Sequence, residues 1–322
     1  MSLVAAGESS MNTEGAARYR AFKERGGVAD LSARLKLRFV GEDRVRYLNG
    51  QVTANVTRLE QGIALAACVT TGKGKLSADV FLHFAGNAVY LDADACLRET
   101  LPARLERYIV ADDVTSEDVS DDFHLIHLIG GIAPATDLVD AAVFADRANR
   151  FGQVGWDVML AADAFASLWP ELTQRLVSLD EELLESLRIE AGIPRWGYEL
   201  DENTLPPEAG LDRTHIDYHK GCYIGQEVIS RLKSVGHVNR QLTGFISSGR
   251  TPLSAGALLF APDGAEKPIG ILTSTAFSFA LEIPVALGYL KRGAAFPELI
   301  ARAADPGSSA TIVATHALPL VS

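Results

Sequence analysis

The chain is poor in the residues that usually announce a resident cofactor. Its 322 residues include three cysteines (68, 96 and 222), three methionines and three tryptophans, and aromatic side chains make up only 7%. Three scattered thiols form no disulfide framework and fall short of the four that an iron–sulfur cluster usually takes. There is no C-x-x-C and no H-E-x-x-H. The densest group of metal-type donors, His215, His219 and Cys222, offers at most three of the four ligands a structural zinc site needs, so no metal is expected. No G-x-S-x-G elbow is present. TTGKGKLS (70–77) lacks the glycine and Lys-Ser/Thr spacing of a Walker loop and reads as a hairpin turn with two exposed lysines, Lys73 and Lys75. No apolar run reaches the ~20 residues that span a bilayer. The first residues lack the basic-then-apolar pattern of a signal peptide. A formal charge of −11 and a pI of about 5.1 repel phosphate backbones and anionic lipid, so neither nucleic acid nor membrane is expected as a partner. The expected setting is cytoplasmic, with reduced thiols.

What is present is an ordinary globular composition, 48% hydrophobic and 22% charged, in a chain long enough for two or three domains. Residues 1–17 read as a loose arm running into a short helix that ends near Gly26-Gly27. RLKLRFV (34–40) alternates like a half-buried strand, and EDRVRYLN reads as a short helix. GIALAACVT (62–70) and KLSADVFLHF (75–84) form a hairpin, followed by AVYLDA. DADACLRETLPARLERYIV favours helix. DDVTSEDVSDD (112–122) is strongly acidic and reads as a solvated connection at a lobe boundary. HLIHLIGG and GQVGWDVML read as strands, AFASLWPELTQRLVS and EELLESLRIEAG as helices. After Arg240, short β-like runs separated by Gly, Pro, Ser and Asp predict a small all-β barrel or sandwich. The class is α+β, divided as 1–112, 113–240 and 241–322, with the first two lobes allowed to be discontinuous.

One thiol stands out. Cys222 lies in HKGCYIGQEV (219–228), just before GQEVISRLKS, where Val228, Ile229 and Leu232 share a helical face and Glu227 precedes Arg231 at a favourable i,i+4 spacing. A helix N-terminus and the nearby Lys220 both favour a thiolate. Gly221 and Gly225 allow a tight turn. A small buried cysteine filling that turn is the plainer reading, and on composition alone it has the edge.

The stretch K-G-C-Y-I-G-Q-E (Lys220, Gly221, Cys222, Tyr223, Ile224, Gly225, Gln226, Glu227) with Arg231 beyond it resembles the signature of YgfZ-type folate-binding proteins, which are implicated in maintaining iron–sulfur enzymes. DLSARLKLRFVGEDRVRYLNGQVTANV (30–56), LRIEAGIPRWGYELDENTLPPEAGLD (187–212) and GILTSTAFSFALEIPVALGYL (270–290) are similar to the wider superfamily of the glycine-cleavage T-protein, a tetrahydrofolate-dependent aminomethyltransferase. The resemblance implies a three-lobed cloverleaf around a folate-sized hole, with a C-terminal β-barrel. It implies that Glu190, in R-I-E-A-G, binds the pterin, whose ring N–H and amino group suit a carboxylate; without the resemblance, Glu190 reads as an exposed helix position. It also implies that the 48–55 loop, with Gln51, lines the pocket. Trp196 and Tyr198 are possible stacking walls, or core. Lys73, Lys75, Arg231 and Lys233 are potential partners of the folate tail. T-proteins carry an aspartate pair at the position of Ala78-Asp79, so one carboxylate is missing; a slip of one residue in alignment would restore Asp79 to the active position.

Two functions follow as expectations. In the first, the chain binds tetrahydrofolate or a one-carbon derivative and assists iron–sulfur cluster assembly or repair in client proteins, with Cys222 as reactive thiol and Lys220 lowering its pKa. In the second, it is an aminomethyltransferase working with a lipoyl-carrier protein, Asp79 being catalytic. A weaker third is a folate-regulated interaction module in which Cys222 only packs.

Overall fold

The computed structural model describes residues 3–262, 266–303 and 311–321. Helix α1 (Leu3–Arg25) carries Lys23 and Arg25 in its last turn, where cations complement the helix dipole, and stops at Gly26 with φ +73°. The expected loose arm is therefore helical from Leu3 onward.

Strands β1 (Gly27–Asp30) and β2 (Leu35–Val40) lead into α2 (Arg44–Gln51). The predicted hairpin forms as β3 (Leu65–Thr70) and β4 (Leu76–Ala85), with β5 (Ala88–Ala93) beyond it. The long helix expected over 92–110 shortens to α3 (Thr100–Glu106), behind a 3-10 turn at Ala95–Leu97. The acidic connection contains an edge strand, β6 (Thr115–Asp118), which pairs with β2. These strands form an antiparallel sheet in the order β3-β4-β5-β2-β6. Its inward face, with Leu37, Phe39, Val80, Leu82 and Leu91, is closed by α2 and α3 through Leu48, Leu101 and Leu105.

The second sheet uses β7 (Phe123–Ile129), then β8 (Ala142–Asn149) after the short α4 (Thr136–Ala141), and β9 (Val154–Ala161). Next come α5 (Ala162–Arg175) and the two-residue β10 (Val177–Ser178). The sheet order is β10-β1-β7-β9-β8. Thus β1, early in the chain, completes the second sheet, and β6 completes the first. The two lobes exchange strands across residue 112.

Helix α6 (Glu181–Ala191) starts at Asp180, whose side chain accepts the Leu183 amide, and ends at Gly192 in the left-handed region. After a long irregular stretch, α7 (Gln226–Ser234) precedes the barrel strands β11 (Arg240–Ser247), β12 (Leu258–Phe260), β13 (Gly270–Ser278), β14 (Ile283–Lys291), β15 (Glu298–Arg302) and β16 (Thr311–His316). These close in the order β11-β14-β13-β12-β15-β16 around Phe245, Leu259, Leu272, Leu299 and Val313. The expected α+β class with a C-terminal barrel is what the chain adopts. No helix among the described residues is long and apolar enough to cross a membrane.

Candidate functional site

A cavity of about 1420 Å³ lies between the two five-stranded sheets, α6 and the C-terminal segment. Its volume exceeds the several hundred Å³ of most small-ligand pockets.

Glu190 stands on the cavity wall and is only 5% exposed. Its helix face turns inward, so the plain reading of an exposed position does not hold. Ser186 Oγ (3.0 Å) and Ser278 Oγ (2.7 Å) both donate to Oε1. Among the described residues no group bonds Oε2. The carboxylate is therefore fixed in place with acceptor capacity left over for a ligand.

The pleat of β4 decides the question of the missing aspartate. Successive side chains alternate faces. Ala78 goes into the first lobe's core, and Asp79 and Phe81 line the cavity. A carboxylate at 78 would point into hydrocarbon; Asp79 is the residue that faces the ligand space. Burial pushes its pKa up, Arg34 pulls it back, and Asp94 and Asp92 add to the rise. A carboxyl tuned this way holds its proton further toward neutrality than an ordinary aspartate.

Trp196 also lines the cavity while packing on the first-lobe core and beside Leu76 and Leu200. Tyr198 does not line it: the ring is 49% exposed, flanked by Arg195 (5.0 Å) and Arg188 (5.6 Å). Gln51 is buried elsewhere, accepting from Arg104 Nη1 at 3.0 Å while Nη2 of the same guanidinium bonds the Thr70 carbonyl. It is a packing residue rather than a pocket wall. Lys73, Lys75, Arg231 and Lys233 do not reach the cavity; Lys75 bonds Asn203 and Lys233 sits over the Tyr218 ring. The cations that do line it without an ion pair or side-chain hydrogen bond among the described residues are Lys23, Arg147 and Arg213.

The expected partnership of Lys220 with Cys222 is overturned. The Lys220 ammonium is buried and donates to three backbone carbonyls: Asn49 (2.6 Å), Val52 (2.7 Å) and Ala54 (2.6 Å). Burial drops its pKa to about 8, with Asp217 acting the other way. The charge serves the 49–54 loop, not the thiol. Cys222 is exposed and lies outside the cavity wall. Around it, Thr70 Oγ1 donates to the Ile224 carbonyl (2.5 Å), and Ile224 N donates to the Gly50 carbonyl (3.2 Å). Gly225 caps α7 with φ +90°, and a Cβ there would come within 2.6 Å of the Thr71 carbonyl oxygen. Gln226 reaches the Lys220 carbonyl only at 3.5 Å. Tyr223 is buried, with its hydroxyl unpartnered. Gly221 has open space around it. Glu227 and Arg231 are exposed and form no ion pair with each other. The motif therefore clasps the segment before the barrel onto the first lobe, with the thiol on its outer side.

Sequence reasoning missed a group that only the fold assembles. His83 (β4), Asp92 (β5), Asp146 (β8), Asp157 (β9) and Arg150 form a buried ionic cluster between the two sheets. Donor atoms of His83, Asp92 and Asp157 lie close enough to suit a metal. Arg150 Nη2, 2.6 Å from Asp92 and 2.7 Å from Asp157, already fills that position. His215, first noted only as a metal-type donor, lines the cavity with its ring edge toward Phe81, and burial lowers its pKa to about 4.

Fold and cavity define a three-lobed protein with one anchored carboxylate facing a folate-sized space. The structure is similar to the glycine cleavage system aminomethyltransferase T from Bartonella henselae, with a TM-score of 0.80 at 22% identity, over 92% of this chain and 86% of that one. The fold is that of the T-protein. In sequence the chain is 28% identical to an aminomethyltransferase of Thermosynechococcus vestitus (87% of this chain, 79% of the relative). It is 25% identical to one of Nostoc sp. (89% and 81%) and 27% to a mitochondrial one of Solanum tuberosum (84% and 73%). No family model matches. The YgfZ-type likeness rests on the KGCYIGQE stretch alone.

Proposed function

We propose that this chain binds tetrahydrofolate in the central cavity and handles its one-carbon unit beside Asp79, as an aminomethyltransferase-like protein served by a lipoyl carrier. The observation that carries this reading is Glu190: a buried carboxylate at the cavity wall, pinned through Oε1, with no bond to its second oxygen among the described residues. A pterin offers adjacent N–H donors, and Oε2 has two lone pairs left to accept them. Asp79, with its raised pKa, is the nearest match to a proton-handling group on the cavity wall. Lys23, Arg147 and Arg213 would meet the anionic glutamate tail. Support comes also from the relatives, which carry the name aminomethyltransferase over most of their length.

Calorimetry with tetrahydrofolate tests the binding. Wild type should bind, and Glu190→Ala should weaken it at least about tenfold, the effect of losing one charged hydrogen-bond acceptor. No heat from wild type would remove the proposal.

A second reading keeps the folate and moves the chemistry to the thiol, in service of iron–sulfur enzymes. Its observation is the exposed Cys222 on a segment clamped by Lys220. Turnover of an aminomethylated lipoyl carrier with tetrahydrofolate separates the two. Loss in Asp79→Asn with retention in Cys222→Ser favours transfer; no turnover in wild type, with folate binding intact, favours the thiol.

A further inference from the structure

Arg150 follows β8 on the turn into β9 and is only 7% exposed. Nε donates to Asp157 Oδ1 (2.8 Å) and Oδ2 (2.9 Å); Nη2 reaches Asp92 (2.6 Å) and Asp157 (2.7 Å). The guanidinium carbon lies over Phe81, 4.0 Å from the ring centroid. Nη1 has no hydrogen-bond or ion-pair partner among the described residues, yet it is not among their sealed, unpartnered polar atoms. Arg150 lines the cavity. Nη1, the one nitrogen whose N–H groups the described residues leave unused, therefore opens onto the cavity.

The charge on this donor is already balanced. His83 turns Nδ1 to Asp146 (2.9 Å) and Nε2 to Asp92 (3.3 Å) and Asp157 (3.6 Å). A ring nitrogen that faces a carboxylate carries its hydrogen, so both nitrogens are protonated and His83 is a cation. Arg34 also pairs with Asp92. Three cations, Arg34, Arg150 and His83, stand against three carboxylates, Asp92, Asp146 and Asp157. His127 gives Nδ1 to Asp157 at 2.7 Å and has no hydrogen-bond partner at Nε2. A ligand carboxylate brought to Nη1 would add an uncompensated charge to a buried, neutral cluster. A carbonyl oxygen would not.

We propose that Arg150 is a specificity-determining residue of the cavity, presenting Nη1–H to a neutral carbonyl oxygen of the bound ligand while Asp92, Asp157 and Phe81 hold it rigid. The inference rests on the folate reading, whose carbonyl acceptors are the pterin 4-oxo group and the benzoyl amide. Lysine retains the cation and loses the planar fork. Calorimetry on wild type and Arg150→Lys, with tetrahydrofolate and with tetrahydropterin, tests it. The expected result is a loss of about tenfold in the variant, equal at low and high salt because the contact is to an uncharged atom. Loss for both ligands assigns the 4-oxo group, and loss for tetrahydrofolate alone assigns the amide. Equal affinity of variant and wild type, or a loss that disappears at high salt, overturns the inference and leaves the folate reading standing. No binding by wild type overturns both. Circular dichroism and the melting temperature establish whether the variant folds. If it does not, a structure of the wild-type complex decides: a ligand carbonyl within about 3.2 Å of Nη1 supports the inference, and its absence overturns it.

Discussion

At the scale of single residues, Lys220 shows how a motif can be chemically specific and structurally committed at once. Three carbonyls converge on one ammonium. Lys220→Met should destabilise the chain by on the order of 3 kcal/mol, because it removes charge-assisted bonds and leaves buried acceptors unpaired. Denaturant unfolding measures this; a change below ~0.5 kcal/mol would show that the ammonium is dispensable. Gly225 is constrained for a different reason, its positive φ and the Thr71 carbonyl that an added methyl would strike. Neither constraint is visible in spacing. Lys220 reads as a neighbour of Cys222 because two positions separate them in sequence, whereas its partners lie more than 160 residues earlier. Glu190 was legible only through resemblance, since a helix pattern fixes a periodicity and not which face meets a cavity.

At the scale of elements, the strands were largely legible because alternation and glycine-rich turns are local signals. Examples are β2 and the β3–β4 hairpin, whose side-chain alternation follows the pleat. The exchange of β1 and β6 between lobes was not legible, since it depends on which edges meet in space. Nor was the cluster joining β4 and β5 to β8 and β9, whose members are ordinary charged residues when taken singly. That cluster gives the fold a pH dependence. Burial alone would lower the His83 pKa, but hydrogen bonds to Asp146 and Asp92 and the charges of Asp157 and Asp92 outweigh it, and the net shift is upward. The imidazolium is stacked on Phe144 at 4.1 Å with no route to water. With a folded pKa above the unfolded value of about 6.5, its stabilisation is complete below that pH and is lost as pH rises through the folded value. Lys220 and His215, with lowered pKa values, act in the opposite direction over parts of the range from pH 6 to 9. The difference in unfolding free energy between wild type and His83→Gln therefore isolates the imidazolium: the stability that wild type holds over the variant should shrink from pH 6 to 9. A difference that does not change with pH would contradict a charged His83.

At the scale of the whole molecule, an acidic chain surrounds a cavity in which most cations are answered by carboxylates. Arg188 and Arg195 share Glu185, and Arg34 and Arg150 share Asp92. Lys23, Arg147 and Arg213 are the exceptions, and all three are exposed. A reduced folate divides its chemistry in the same way: a neutral pterin that needs hydrogen bonds and an anionic glutamate that needs positive charge. Buried groups such as Glu190 and Arg150 suit the first end, and unpaired surface cations suit the second, where salt screens them. Tetrahydrofolate affinity should therefore fall with ionic strength. In Lys23→Glu/Arg147→Glu/Arg213→Glu the affinity should drop by about tenfold or more at low salt, and the salt dependence should vanish or reverse sign. Tetrahydropterin, which lacks the glutamate, should bind the triple variant and wild type equally. If the triple variant bound tetrahydrofolate as wild type does, the tail would have to leave the cavity on another side, and these cations would answer to a different ligand.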